Sequence, residues 1–157
     1  MQGHLARLGK QVGIDFRFEG KTGNTRDSHR LVQLGKTKGE AVQTRVVEEL
    51  FNAYFEENED ITQLDTLIKR GVKAGLPEEE VKAWMEGGKG GEEVDREVKQ
   101  AQQKFVTGVP NFTINSRWEV QGAEEPSAFL QVFGEVKDTD GGVSGKRVEG
   151  DGVQNAC

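Results

Sequence analysis

Gly108-Val109-Pro110-Asn111-Phe112-Thr113-Ile114 is the stretch on which the reading of this chain turns. A glycine and a valine lead into a proline, and the proline leads into a short run of β-branched and aromatic residues of the kind that forms strands. Trp118-Glu119-Val120-Gln121 is a second short strand, and Asn115-Ser116-Arg117 lies between the two. Residues 111–115 and 118–121 are therefore predicted to pair as a β-hairpin. Gly122-Ala123 turns the chain, and Pro126 opens a last helix with Phe129, Leu130, Phe133 and Val136 on its apolar side. After about Lys137 there is no aromatic residue, and glycine recurs at 141, 142, 145, 150 and 152, which predicts a disordered tail over 137–157.

Upstream of the proline the period is helical. Leu5, Leu8 and Val12 read as the last turns of a helix, and Ile14–Phe18 alternates like a short extended segment. Asn24 or Thr25 can cap a helix that runs to about Lys38, with Leu31, Val32 and Leu34 inward. Residues 40–57 give the clearest helix, with Val42, Val46, Val47, Leu50, Phe51, Tyr54 and Phe55 read as one core-facing stripe. Asp60 with Gln63 suggests a capping box for a helix that Gly75 ends. Pro77 starts the next helix, whose first turn carries Glu78, Glu79 and Glu80. Gly87–Gly91 reads as a flexible link, and a further helix over roughly 92–106 uses Val94, Val98, Ala101 and Phe105.

Composition narrows the function. The chain has 157 residues, 34% of them hydrophobic, which suffices for one domain with a real core. A net charge of −6 without a basic stripe argues against nucleic acid as a partner. No apolar run approaches the ~20 residues of a membrane span. The N-terminal residues lack the apolar core of a secretion signal, so a cytoplasmic location is the expectation. One cysteine, Cys157, excludes an internal disulfide and a cysteine-based zinc site within this sequence. His4 and His29 are too few and too far apart to suggest a metal.

Five motifs in order carry a resemblance. They are Gly23-Asn24-Thr25 with His29-Arg30-Leu31; Glu49-Leu50-Phe51-x-Ala53-Tyr54-Phe55; Gly75-Leu76; Gly108-Val109-Pro110-x-Phe112; and Gly122-Ala123-x-x-Pro126. Over about residues 3–134 the chain resembles the DsbA-like thioredoxin family, and more narrowly its cytosolic FrnE-type branch. The resemblance implies an α+β, thioredoxin-like fold with a helical insertion, a C-terminal β-hairpin and a final helix. Residues 1–136 would be the C-terminal part of a DsbA-like domain, with the insertion over about 24–107. The fold is expected to be truncated, lacking the first strand, the helix that bears the Cys pair, and the second strand.

The family activity is thiol–disulfide oxidoreduction. It needs an attacking thiolate and a resolving thiol, and neither stands at a matching position, so no catalytic residue is assigned. Cys157, in a glycine-rich tail, reads as an ordinary exposed thiol. In the family the proline before the hairpin is cis, and Val109 would offer backbone hydrogen bonds to an extended peptide or thiol substrate. On base rates alone the bond would be trans, since only ~5–6% of X–Pro bonds are cis.

Asn24, Thr25 and His29 are caps and local packing on one reading and candidate ligand-groove residues on the other. Phe51, Tyr54 and Phe55 are assigned to the core. No metal is expected, and glutathione is the one candidate cofactor. Two further functions stay open: a non-catalytic peptide-binding module, and a relative of glutathione-dependent isomerases or transferases. An unpaired sheet edge implies self-association.

Overall fold

The computed structural model describes residues 2–139. The chain divides into two compact units, Met1–Lys99 and Gln100–Cys157. The first unit is helical: α1 (Gln2–Gln11), α2 (Arg26–Thr37), α3 (Glu40–Phe51) with a π-helical turn at Asn52–Glu56, α4 (Leu64–Lys73), α5 (Glu78–Glu86) and most of α6 (Gly91–Gln103). The second holds β1 (Asn111–Ile114), β2 (Trp118–Gln121) and α7 (Pro126–Thr139). Among the described residues the only sheet is this antiparallel pair. The architecture is the expected α+β, thioredoxin-like one, mostly helical with a small sheet and a C-terminal helix.

In the first unit α2 is central. Leu31 and Leu34 lie fully buried against Val46 and Leu50 of α3, Leu67 of α4, and Val81 and Met85 of α5. Gly35 lets α3 come close, because a Cβ there would stand 3.0 Å from the Gln43 Cα. At the end of α4, Gly75 takes φ +94 and the Leu76 amide donates back to the Gly71 carbonyl at 3.0 Å, closing the helix as a left-handed cap. Arg45 Nε donates to the Ala74 carbonyl at 3.0 Å and satisfies another acceptor of that terminus.

Arg70 of α4 is wholly buried, yet every arm of its guanidinium is engaged. Nε donates to Glu59 at 2.9 Å, Nη1 to Glu49 at 3.1 Å and Asn52 at 2.8 Å, and Nη2 to Glu57. A buried cation is tolerated only with such pairing.

Several expectations are corrected. Asp60 does not cap α4: its Oδ1 accepts from the Thr62 amide at 3.0 Å and hydroxyl at 2.6 Å, and the helix begins at Leu64. Asp60 therefore fixes the turn before the helix. The glycines at 87–91 form a fastened turn rather than a flexible link. Arg30 Nε donates to the Lys89 carbonyl at 2.9 Å, and a Cβ on Gly90 would lie 2.9 Å from the Trp84 ring. Phe105 is not inward, because α6 ends at Gln103 and Phe105 takes φ 55 with 78% of its surface exposed.

In the second unit Phe112 opposes Val120 and Ile114 opposes Trp118, so these four share one face of the hairpin. That face meets α7: Trp118, Val120 and Val132 are buried, with Ile114, Phe129 and Val136 packed around them. Asn115 (φ 49) and Ser116 (φ 57) form the turn, with Arg117 N–H donating to the Ile114 carbonyl at 3.1 Å. Positive φ at both central residues is the type I′ geometry that suits strand twist. Asn115 thus belongs to the turn, and β1 is one residue shorter than predicted. Most of the tail predicted over 137–157, with Cys157, lies outside the described residues, and α7 itself runs to Thr139.

Candidate functional site

Two places answer to the residues singled out in the sequence, one in each unit. In the second unit, Val109–Pro110 is a cis peptide bond. The loop is held from its C-terminal side. The Gly122 amide donates to the Pro110 carbonyl at 2.9 Å, continuing the ladder one step past the Asn111–Gln121 pair. Gly122 takes φ +91, which a glycine adopts without a Cβ clash. Thr107, Gly108, Val109 and Pro110 line a small hollow of about 240 Å³ with Asn111, Gln121 and Gly122.

Val109 projects from this loop with 90% of its surface exposed. Neither its N–H nor its carbonyl bonds to another group among the described residues. A backbone donor and acceptor left open beside a strand can accept an added strand.

The second place is a cleft of about 450 Å³ in the first unit. Thr25 at the N-cap of α2, Ser28 and His29 from its first turn, and Lys21 and Thr22 from the preceding loop supply its polar residues. Leu50, Val32, Val47 and Ile61 supply its apolar interior, and Phe51, Tyr54 and Phe55 close one side. The rings interlock edge to face, Tyr54 on Phe55 at 4.9 Å and Phe51 on Phe55 at 5.9 Å between centroids.

Of the three residues proposed for a ligand groove, the cleft brings together two. Thr25 and His29 line it, with His29 Nδ1 against the Thr25 carbonyl at 2.8 Å. Thr25 occupies the N-cap position without a side-chain capping bond. Asn24 is not in the lining; its Oδ1 accepts the Arg26 amide at 2.9 Å and so starts α2. Two of the three aromatic residues assigned to the core lie outside it: Phe51 is 59% exposed and Phe55 38%.

The cause is helical spacing: Leu50 and Ala53, four and seven residues after Val46, share its buried face, whereas Phe51 and Phe55 fall on the other side of the helix. A π-helical turn follows at Asn52–Glu56, where the Glu57 amide reaches back five residues to the Asn52 carbonyl at 3.0 Å. No feature of the hydrophobic pattern announces this turn, because the apolar residues fit an uninterrupted 3.6-residue period.

No helix among the described residues is long and apolar enough to cross a membrane. No curated protein matches the chain. Among solved structures, the crystal structure of a probable DsbA oxidoreductase from Streptomyces coelicolor superposes with a TM-score of 0.77 at 25% identity, over 97% of this chain. The chain spans 65% of that protein's length. The model of the DSBA-like thioredoxin domain matches residues 1–134, and the chain belongs to that family.

Proposed function

We propose that this chain holds an extended polypeptide that carries a thiol or a disulfide, by strand addition at Val109. The observation that carries the reading is the exposed Val109 with both peptide groups unbonded among the described residues. Family membership supports the substrate class. Thiol–disulfide exchange proceeds when a thiolate attacks a disulfide sulfur and forms a mixed disulfide, which a second thiol then resolves. These 157 residues contain one thiol, Cys157, and so cannot complete that cycle unaided. The part of the oxidoreductase reaction assigned to this chain is substrate binding.

The five motifs favour the FrnE-type branch, and with it a cytoplasmic location. The exposed apolar residues Leu130 and Phe133 and the open edges of the hairpin support self-association of the isolated chain.

The test pairs binding with turnover. A reduced, extended peptide should perturb the amide signals of Val109 and Gly122 in the chain and in Cys157→Ser alike. Insulin reduction by the chain should stay at the level of Cys157→Ser. Peptide signals elsewhere, or insulin turnover above that control, would overturn the reading.

A further inference from the structure

The cleft at the start of α2 has a composition unlike the rest of the molecule. The chain carries 27 acidic and 21 basic residues, yet the lining of the cleft includes Lys21 and His29 and no carboxylate. The rest of its lining is mostly apolar and aromatic. A volume of about 450 Å³ falls within the ~300–1,000 Å³ range of ligand pockets. We propose that this cleft binds a small amphipathic organic anion, its apolar body between Leu50, Ile61 and the Tyr54 ring and its anionic head at Lys21 and His29.

Two observations beyond the lining favour an anion with an apolar body. The N-cap and first turn of α2 open on the cleft through Thr25, Ser28 and His29, so the positive end of the helix dipole adds to the two side chains. The Thr22 hydroxyl lies 3.3 Å from the Tyr54 hydroxyl, which ties the loop before α2 to the aromatic wall and leaves the face of the ring to an apolar guest. Phe51 and Phe55 also border a second apolar hollow with Leu5, Ile14, Phe16 and Phe18, so they form a partition and not a mobile flap over open solvent. The site uses none of the residues of the Val109 loop, and the two readings stand or fall separately.

The probe is 2-naphthoate, titrated into the full chain by calorimetry, with backbone amide signals followed in parallel. Its neutral isostere 2-naphthamide and the anion glutathione, which lacks the apolar body, are the controls. The expected result is saturable naphthoate binding that perturbs Thr25, Tyr54 and Ile61, with both controls weaker by about fivefold or more. Lys21→Glu, an exposed position, should weaken naphthoate about fivefold and leave the melting temperature unchanged, and Lys21→Arg should retain binding. Equal affinity for naphthoate and naphthamide, glutathione binding as tight as naphthoate, perturbations confined to other residues, an unaffected Lys21→Glu, or no naphthoate binding would each overturn the proposal.

Discussion

Arg30 and Trp84 are joined by reciprocal hydrogen bonds: Arg30 Nη2 donates to the Trp84 carbonyl at 3.0 Å, and Trp84 Nε1 donates to the Arg30 carbonyl at 3.0 Å. The same guanidinium donates to the Met85 carbonyl at 2.8 Å, the Lys89 carbonyl at 2.9 Å and Asp27 at 2.8 Å. Three carbonyls at the open end of α5 and in the turn after it therefore find their donor on α2. α2, which lines the cleft, is thus fastened to the C-terminal end of α5 by one side chain.

That arrangement predicts a large effect from a single substitution. Arg30→Ala leaves the Lys89 carbonyl without its donor and the Trp84 and Met85 carbonyls with only the backbone donors Lys89 N–H at 3.2 Å and Gly88 N–H at 3.4 Å, and should cost about 2 kcal/mol of unfolding free energy. Arg30→Lys cannot reproduce the planar fork and should recover only part of the loss. Trp84→Phe removes one bond and should cost about 1 kcal/mol. Urea denaturation followed by circular dichroism measures all three. A cost for Arg30→Ala no larger than that for Trp84→Phe would show that the carbonyls find other partners.

A second prediction concerns acid. The hydrogen bond from Arg70 draws the Glu59 carboxyl down from 4.5 to about 2; burial opposes the shift and Lys69 assists it. In the unfolded chain that carboxyl takes its proton near 4.5, while in the folded chain it holds out to about 2. The stability it contributes is complete above the higher value and is lost as the pH falls toward the lower one. Glu59→Gln should therefore lower stability near neutrality, by up to about 3 kcal/mol, and the gap from the parent should close toward pH 2. Urea midpoints across that range check it, and a gap that does not narrow in acid would contradict the linkage.

The parts of the fold legible in the sequence are those fixed by local chemistry. The hairpin shows in the alternation of Phe112 and Ile114 and of Trp118 and Val120, and the end of α4 shows in Gly75, whose φ of +94 strains any residue with a Cβ. What stayed hidden depends on partners far away in sequence. Arg30 turns a glycine-rich link into a fixed turn across 59 residues, a contact no window along the chain contains. The π-helical turn is hidden for a different reason: the apolar residues around it fit an uninterrupted 3.6-residue period. Thr25 and His29 could be named from their place at a helix start, but the cleft they line is completed by Phe51 and Tyr54, far along the chain.

The aromatic wall makes a paired prediction. Leu50 is 6% exposed and Phe51 59%, because adjacent residues of α3 point to different sides of the helix. Leu50→Ala should cost about 3 kcal/mol. Phe51→Ala should cost less than about 1 kcal/mol despite deleting the larger side chain. Thermal melts of the two variants decide whether Phe51 lines the cleft or belongs to the core: equal large losses would restore Phe51 to the core.

The last prediction follows from α7. Val132 is fully buried, with Phe129 and Val136 beside it against the hairpin, so one face of the helix is spent on the core. Leu130 and Phe133, three residues apart and so neighbours on the helix surface, are 69% and 52% exposed. A two-stranded hairpin with one packed helix is marginal by itself, and an apolar stripe beside open strand edges favours association. The isolated chain should sediment as more than a monomer. Leu130→Glu with Phe133→Glu should shift it toward the monomer without loss of helical signal, since neither residue belongs to the buried face. A parent chain that stays monomeric at high concentration would remove self-association from the account, and a double variant that stays associated would move the contact from α7 to the strand edges.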